Sequence, residues 1–115
     1  MSKQIQDAYI VAATRTPIGR SHRGFFRNTR PDDLLVAALR GALAQVPNLD
    51  PKAIEDAIIG CAMPEGEQGL NVARIAALLA GLPNTVGGIT VNRFCASGLS
   101  AVQMAEIGRA SCRER

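Results

Sequence analysis

"GGITVNRFCASGLSAVQMAE", Gly87 to Glu106, runs from a β-like stretch into a helix-like one and sets a cysteine, Cys95, at the junction. Gly88, Ala96 and Gly98 keep the surroundings of that cysteine small. A structural thiol needs no such setting, because any apolar run would hide it. A nucleophile does need one: the thiolate is the attacking species, and a helix N-terminus favours the anion. The stretch therefore reads as strand, tight turn, helix, with a candidate nucleophile at the turn.

The same alternation of elements repeats upstream. "GITVNRF" is preceded by "LNVARIAALLA" (70–80), apolar at helical spacing and ended by Gly81 and Pro83. Before that helix come the loop "MPEGEQG" and a short apolar strand, "AIIGCA", over 57–62. Pro31 followed by Asp32 and Asp33 is a helix start, with proline at the first position and acids in the first turn. Leu34, Leu35, Ala38, Leu39, Ala42, Leu43 and Val46 continue it until Pro47. "AYIVAA" (8–13) reads as an opening strand, and "TRTPIGRSHRGFFRNTR" as the loop after it. The predicted order is β-α-β-α-β-α. Strands this apolar, separated by helices, imply an α/β fold with a mainly parallel, helix-covered sheet.

Composition narrows the function classes. The chain has 115 residues, about one domain's worth, and 47% of them are hydrophobic. No apolar run approaches the ~20 residues of a membrane span. The N-terminal "MSKQIQDAYIVAATRTP" lacks a signal-peptide pattern, so a cytoplasmic location is expected. Cys61, Cys95 and Cys112 are an odd count with no CxxC pair, which argues against a disulfide framework or a metal site.

The net charge of +3 does not imply a nucleic-acid partner. Arg109, Arg113 and Arg115, against Glu114, lie in the last nine residues, "IGRASCRER", so the basicity is largely a tail property. That tail breaks off the apolar pattern before it. One reverse translation of it, ATC-GGA-AGA-GCG-TCG-TGT-AGG-GAA-AGA, is a string shared with a common sequencing-library adapter. The expected organisation is one partial domain over 1–105 and a non-native, adapter-derived tail over 106–115, with the natural protein continuing past Ala105.

Three stretches resemble the thiolase family, the acetyl-CoA acyltransferases that include 3-ketoacyl-CoA thiolase. "IVAATRTPIGR" is similar to the family's opening strand and loop, and "GCAMPEGEQGLNVAR" to the segment entering its second helix. "VNRFCASGLSAV" resembles its nucleophile signature and is the most specific of the three. The resemblance covers Ile10 through Ala105. It implies a thiolase-like fold of αβαβα layers, a homodimer or homotetramer, acyl-CoA substrates, and coenzyme A as co-substrate rather than a permanently bound cofactor. It also places Cys95 on the acyl-accepting cysteine. The wording "RFCASG" and "GEQGLN" sides with the degradative 3-ketoacyl-CoA thiolases, hence with fatty-acid β-oxidation. The activating histidine, the Asn-His oxyanion pair and the second, acid/base cysteine of the family all belong to its C-terminal half. His22, the sole histidine, matches none of them.

Other readings compete. A biosynthetic acetoacetyl-CoA thiolase or a ketoacyl synthase shares the architecture and the cysteine, while the polypeptide as written, holding the nucleophile without its base, reads as an inactive fragment, with a non-catalytic interaction module as a further alternative. Cys61 reads as buried and inert. Arg15, Arg20, Arg23, Arg27 and Arg30 form an acid-free loop, which reads as solvated or subunit-contacting since no phosphate cradle accompanies it. Gln68 and Asn71 flank Gly69 before a helix and read equally as cap or interface groups. Asn92 and Arg93 are candidates for fixing the turn by hydrogen bonding.

Overall fold

The computed structural model describes residues 7–111. Three α-helices and two strands follow one another: α1 (Pro31–Ala44), β1 (Asp56–Gly60), α2 (Val72–Leu79), β2 (Gly87–Val91) and α3 (Ser97–Ser111), with 3₁₀ turns at Pro51–Ala53 and Gly66–Gln68. The strands pair in parallel, with Asp56 opposite Gly87 and Gly60 opposite Val91. Cys112 and the residues beyond it lie outside the described part, as do residues 1–6.

Side chains alternate between the two faces of a strand, so the register assigns each helix its side. Ala57 joins Ala77 of α2 and Val86 in the core, with Ile54 and Leu82 packed against them. Gly88, opposite Ala57, lies under α2 as well: a Cβ there would come within 2.7 Å of the Arg74 backbone. Gly60 faces the other way, and a Cβ on it would meet the Ser97 and Gly98 backbone at 2.4–2.6 Å. Helix α2 thus covers one face of the sheet and the start of α3 the other. Val72, Ala73, Ala76 and Ala77 form the buried stripe of α2, and its three alanines let backbone approach backbone.

Helix termini behave as their sequences suggest. Pro31 opens α1 with Asp32 and Asp33 in its first turn. Gly81 at φ 86° closes α2: its N–H donates to the Leu78 carbonyl and the Leu82 N–H to the Ala77 carbonyl. That pair of bonds is a Schellman motif, which a left-handed glycine completes without steric cost.

One expected element is absent. Residues 8–13 form no strand, and Tyr9, Ile10 and Val11 are exposed. The segment is held instead by the Gln45 side chain, whose Oε1 accepts from the Ala13 N–H while its Nε2 donates to the Ala13 carbonyl. Strand formation needs a ladder partner for the backbone groups, and among the described residues this segment pairs with neither β1 nor β2. The order within the described residues is therefore α-β-α-β-α rather than β-α-β-α-β-α. The helix-covered parallel α/β architecture itself stands.

Candidate active site

Cys95 sits where the chain leaves β2 and turns into α3, two residues before the helix begins. Its thiol is free and exposed. The turn is built by its own polar groups. Phe94 adopts φ 46°, in the left-handed region, which costs a non-glycine residue about 1–2 kcal/mol. Asn92 Oδ1 accepts from the Phe94 N–H at 2.9 Å. Ser97, only 3% exposed, reaches back with its hydroxyl: Oγ accepts from the Arg93 N–H at 2.8 Å and donates to the Phe94 carbonyl at 2.6 Å. The Ala96 and Ser97 N–H groups close the turn onto the Arg93 and Phe94 carbonyls. A strained residue immediately before the cysteine is thus bonded on both sides.

Gly60 brings the rest of the scaffold to this turn. Its lack of a side chain lets the end of β1 pack directly on the Ser97–Gly98 peptide. Cys61, the next residue, donates its N–H to the Val91 carbonyl, extending the ladder by one rung. Its side chain is half-buried rather than fully buried as expected. Its position just past the strand, at the rim of the sheet, accounts for that. Among the described residues, the two free cysteines therefore leave the same end of the parallel sheet, and of these Cys95 alone is exposed.

Asn71 and Thr90 form a second constellation on the α2 side. The Asn71 side chain does not cap its own helix. Its Nδ2 donates to the Gly88 carbonyl at 2.9 Å, and its Oδ1 accepts from the Thr90 hydroxyl at 2.7 Å. Thr90 Oγ1 in turn accepts from the Ala73 N–H at 3.2 Å, so a strand residue caps the first turn of α2 from outside. Gln68 has a local partner, donating from Nε2 to the Met63 carbonyl.

The remaining candidates do not join the cysteine turn. Arg30 pairs with Asp32 through two 3.1 Å hydrogen bonds and approaches Glu67 at 3.6 Å, so the acid-free loop is neutralised at its end. The Arg30 hydrogen bond holds the nearly buried Asp32 carboxyl below the usual range, against the desolvation that would raise it. Arg15, Arg20, Arg23 and Arg27 are exposed. His22 is exposed in the same loop, at φ 64°. Among the described residues no group of His, Cys, Asp and Glu is arranged to hold a metal ion, and no helix is long and apolar enough to cross a membrane.

Sequence reasoning missed the roles of Ser97, Gly60 and Thr90. The Cys-Ala-Ser spacing was the one available hint for Ser97, because a serine two residues beyond a turn can bond back to it. Nothing local marks Gly60 or Thr90, whose partners lie 17 or more residues away.

Comparison with known proteins adds an independent line. A family profile described as thiolase, N-terminal domain, matches residues 8–109. A 3-ketoacyl-CoA thiolase from Saccharophagus degradans is 52% identical over 105 residues, covering 91% of this chain and 27% of that protein. One from Shewanella sp. (strain MR-7) is 50% identical over 101 residues, covering 88% and 26%. The chain thus spans about a quarter of the length of these relatives. Among solved structures, a thiolase from Ascaris suum in complex with coenzyme A superposes with a TM-score of 0.82 at 30% identity, covering 90% of this chain and 26% of that one. An acetyl-CoA acetyltransferase from Syntrophomonas wolfei gives 0.76 at 33% identity, covering 86% and 24%.

Proposed function

As this chain belongs to the thiolase family, we propose that it supplies the acyl-accepting thiol of a 3-ketoacyl-CoA thiolase, an acyltransferase. One observation carries the reading: Cys95, in the segment that resembles the family's nucleophile signature, is an exposed free thiol on a bonded turn between strand and helix. The relatives at about half identity, named 3-ketoacyl-CoA thiolase, favour the degradative branch over a biosynthetic thiolase or a ketoacyl synthase.

The chemistry takes two steps. The Cys95 thiolate attacks the 3-keto carbonyl of a 3-ketoacyl-CoA, forming an S–C bond and a tetrahedral oxyanion. Collapse breaks the C2–C3 bond. The electron pair leaves on C2 and is protonated there, releasing acetyl-CoA and leaving the shortened acyl group as a thioester on Cys95. Coenzyme A thiolate then attacks that thioester, expels the Cys95 thiolate and carries the acyl group away. Sulfur is suited to both roles, as a strong nucleophile and a good leaving group. The turn has already committed the amides of Arg93, Phe94, Ala96 and Ser97, so the Cys95 N–H is the oxyanion donor it has to offer. The base for Cys95 and the acid for C2 come from outside the described residues, in the part of the relatives that this chain does not span.

In this reading the whole enzyme acts in β-oxidation as a cytoplasmic homodimer or homotetramer, with coenzyme A as co-substrate and no resident cofactor. Residues 1–105 are partial N-terminal thiolase domain, and 106–115 are foreign although α3 runs to Ser111. Genomic sequence across Ala105 checks the last point: a native reading frame encoding "IGRASCRER" refutes it. For Cys95, the full-length enzyme is incubated with an acyl-CoA and the modified peptide is mapped. Label on Cys95 that disappears in Cys95→Ser, together with thiolysis, is the expected result. Label on Cys61 instead overturns the assignment.

A further inference from the structure

Within that thiolase reading, we infer that Ser97 and Asn92 are positioning residues for the nucleophile, holding Phe94 in the left-handed conformation that aims Cys95 away from the protein. At φ 46° the Phe94 backbone is in a region that a bulky L-residue leaves unless something retains it. The side chain offers no retention through packing, since it is 76% exposed. Hydrogen bonds do the holding. Asn92 Oδ1 accepts from the Phe94 N–H, and Ser97 Oγ donates to the Phe94 carbonyl, so both peptide units flanking the strained Cα are pinned. The same Ser97 oxygen accepts from the Arg93 N–H, which fixes the peptide plane one residue earlier.

Ser97 can hold this post because it is anchored itself. It is the first residue of α3, it is buried, and its main chain rests on Gly60 at the end of β1. The sheet therefore sets Ser97, Ser97 sets Phe94, and Phe94 sets the direction in which the next residue leaves the chain. If Phe94 relaxed to negative φ, the Cys95 Cα–Cβ bond would swing with it. Strain kept at a site by over-determined surroundings is a known means of pre-organisation. Neither Ser97 nor Asn92 needs to touch substrate for this, so their removal acts on the chemical step and not on coenzyme A binding.

The test uses full-length enzyme and acetyl-CoA, with single-turnover acylation of Cys95 followed by mass spectrometry. Ser97→Ala and Asn92→Ala are expected to slow acylation on the order of tenfold, by misplacement of the sulfur, with KM little changed. Ser97→Thr, which keeps the hydroxyl, is expected to recover most of the rate. Glycine takes positive φ about as readily as negative, so Phe94→Gly removes the bias that the two bonds oppose. In the Phe94→Gly background, adding Ser97→Ala is expected to change the rate by less than about threefold, a coupling that independent packing roles do not produce. Equal acylation by wild type and both alanine variants overturns the inference, as does the same loss from Ser97→Ala in both backgrounds. If Ser97→Ala does not fold, the exposed Asn92→Ala decides: wild-type acylation by it overturns the inference. Absence of acyl label on Cys95 in the wild-type enzyme overturns the thiolase reading instead.

Discussion

Residues 8–13 and residues 56–60 are chemically alike and structurally opposite. "AYIVAA" and "DAIIG" are both short apolar runs, yet Ile10 is 82% exposed while Ala57 is 8% exposed in the core. The second run has a parallel partner, Gly87–Val91, and a helix on each face. The first has the carboxamide of Gln45. β-propensity describes fitness for a pleated, half-buried surface, and that surface has to be supplied by the rest of the fold. In this chain α2, α3 and the two strands supply it for one another.

A substitution in the paired strand should cost the most. Gly60→Ala puts a methyl group within 2.6 Å of the Ser97–Gly98 backbone, which cannot yield as a side chain tip can. The start of α3 must move off β1, and a loss of about 3 kcal/mol or more is expected, at the upper end of overpacking costs. Denaturant melts measure it, and alkylation of Cys95 reports the displaced turn. An unchanged midpoint would show that α3 does not rest on β1 as described.

Thr90→Val comes next. The substitution keeps shape but removes the oxygen that bonds both Asn71 and the Ala73 N–H. Ala73 is wholly buried, so its N–H loses an acceptor where water does not reach easily. A loss of about 1–3 kcal/mol is expected, measured by thermal melting, together with faster hydrogen exchange at the first turn of α2. Exchange unaltered at Ala73 would remove Thr90 from its capping role.

The junction between the two regions carries a pH signature. Asp32 is held ionised chiefly by the hydrogen bond from Arg30, so its folded pKa is lower than its unfolded one. Its contribution is therefore present above the ordinary aspartate value of about 3.9 and is lost as the pH falls through the lower folded value. Wild type should exceed Asp32→Asn in stability at pH 6, and the two should converge on acidification. A gap that persists undiminished down to pH values where Asp32 is protonated would assign the effect to something other than its charge.

The smallest effect is expected in the other region. Ile10→Ser should shift stability by no more than about 0.5 kcal/mol, as for surface positions generally, provided the segment is unpaired in the molecule tested. A much larger loss would show that residues 8–13 have found a sheet partner, and would turn the comparison around.

The helices were legible locally because their signals are local. Pro31 with two acids, Gly81 followed by Pro83, and apolar residues at helical spacing act over a few residues, and the helices begin and end close to where those signals stand. The setting of Cys95 was legible for the same reason, since strand, small residues and helix meet within Gly87–Glu106, whereas its exposure came only with the fold. Tertiary structure decided what depends on distant partners. It left Ile10 outside the sheet, put Thr90 at the head of a helix to which it does not belong, and made Gly60 the seat of the Cys95 turn. It also drove Phe94 into the left-handed region, which no preference of phenylalanine requests. Backbone hydrogen bonds inside a helix are completed by neighbours in the chain, so the chain order specifies them. Strand pairing, close backbone approach and strained turns are completed across space, and only the assembled fold provides the other half.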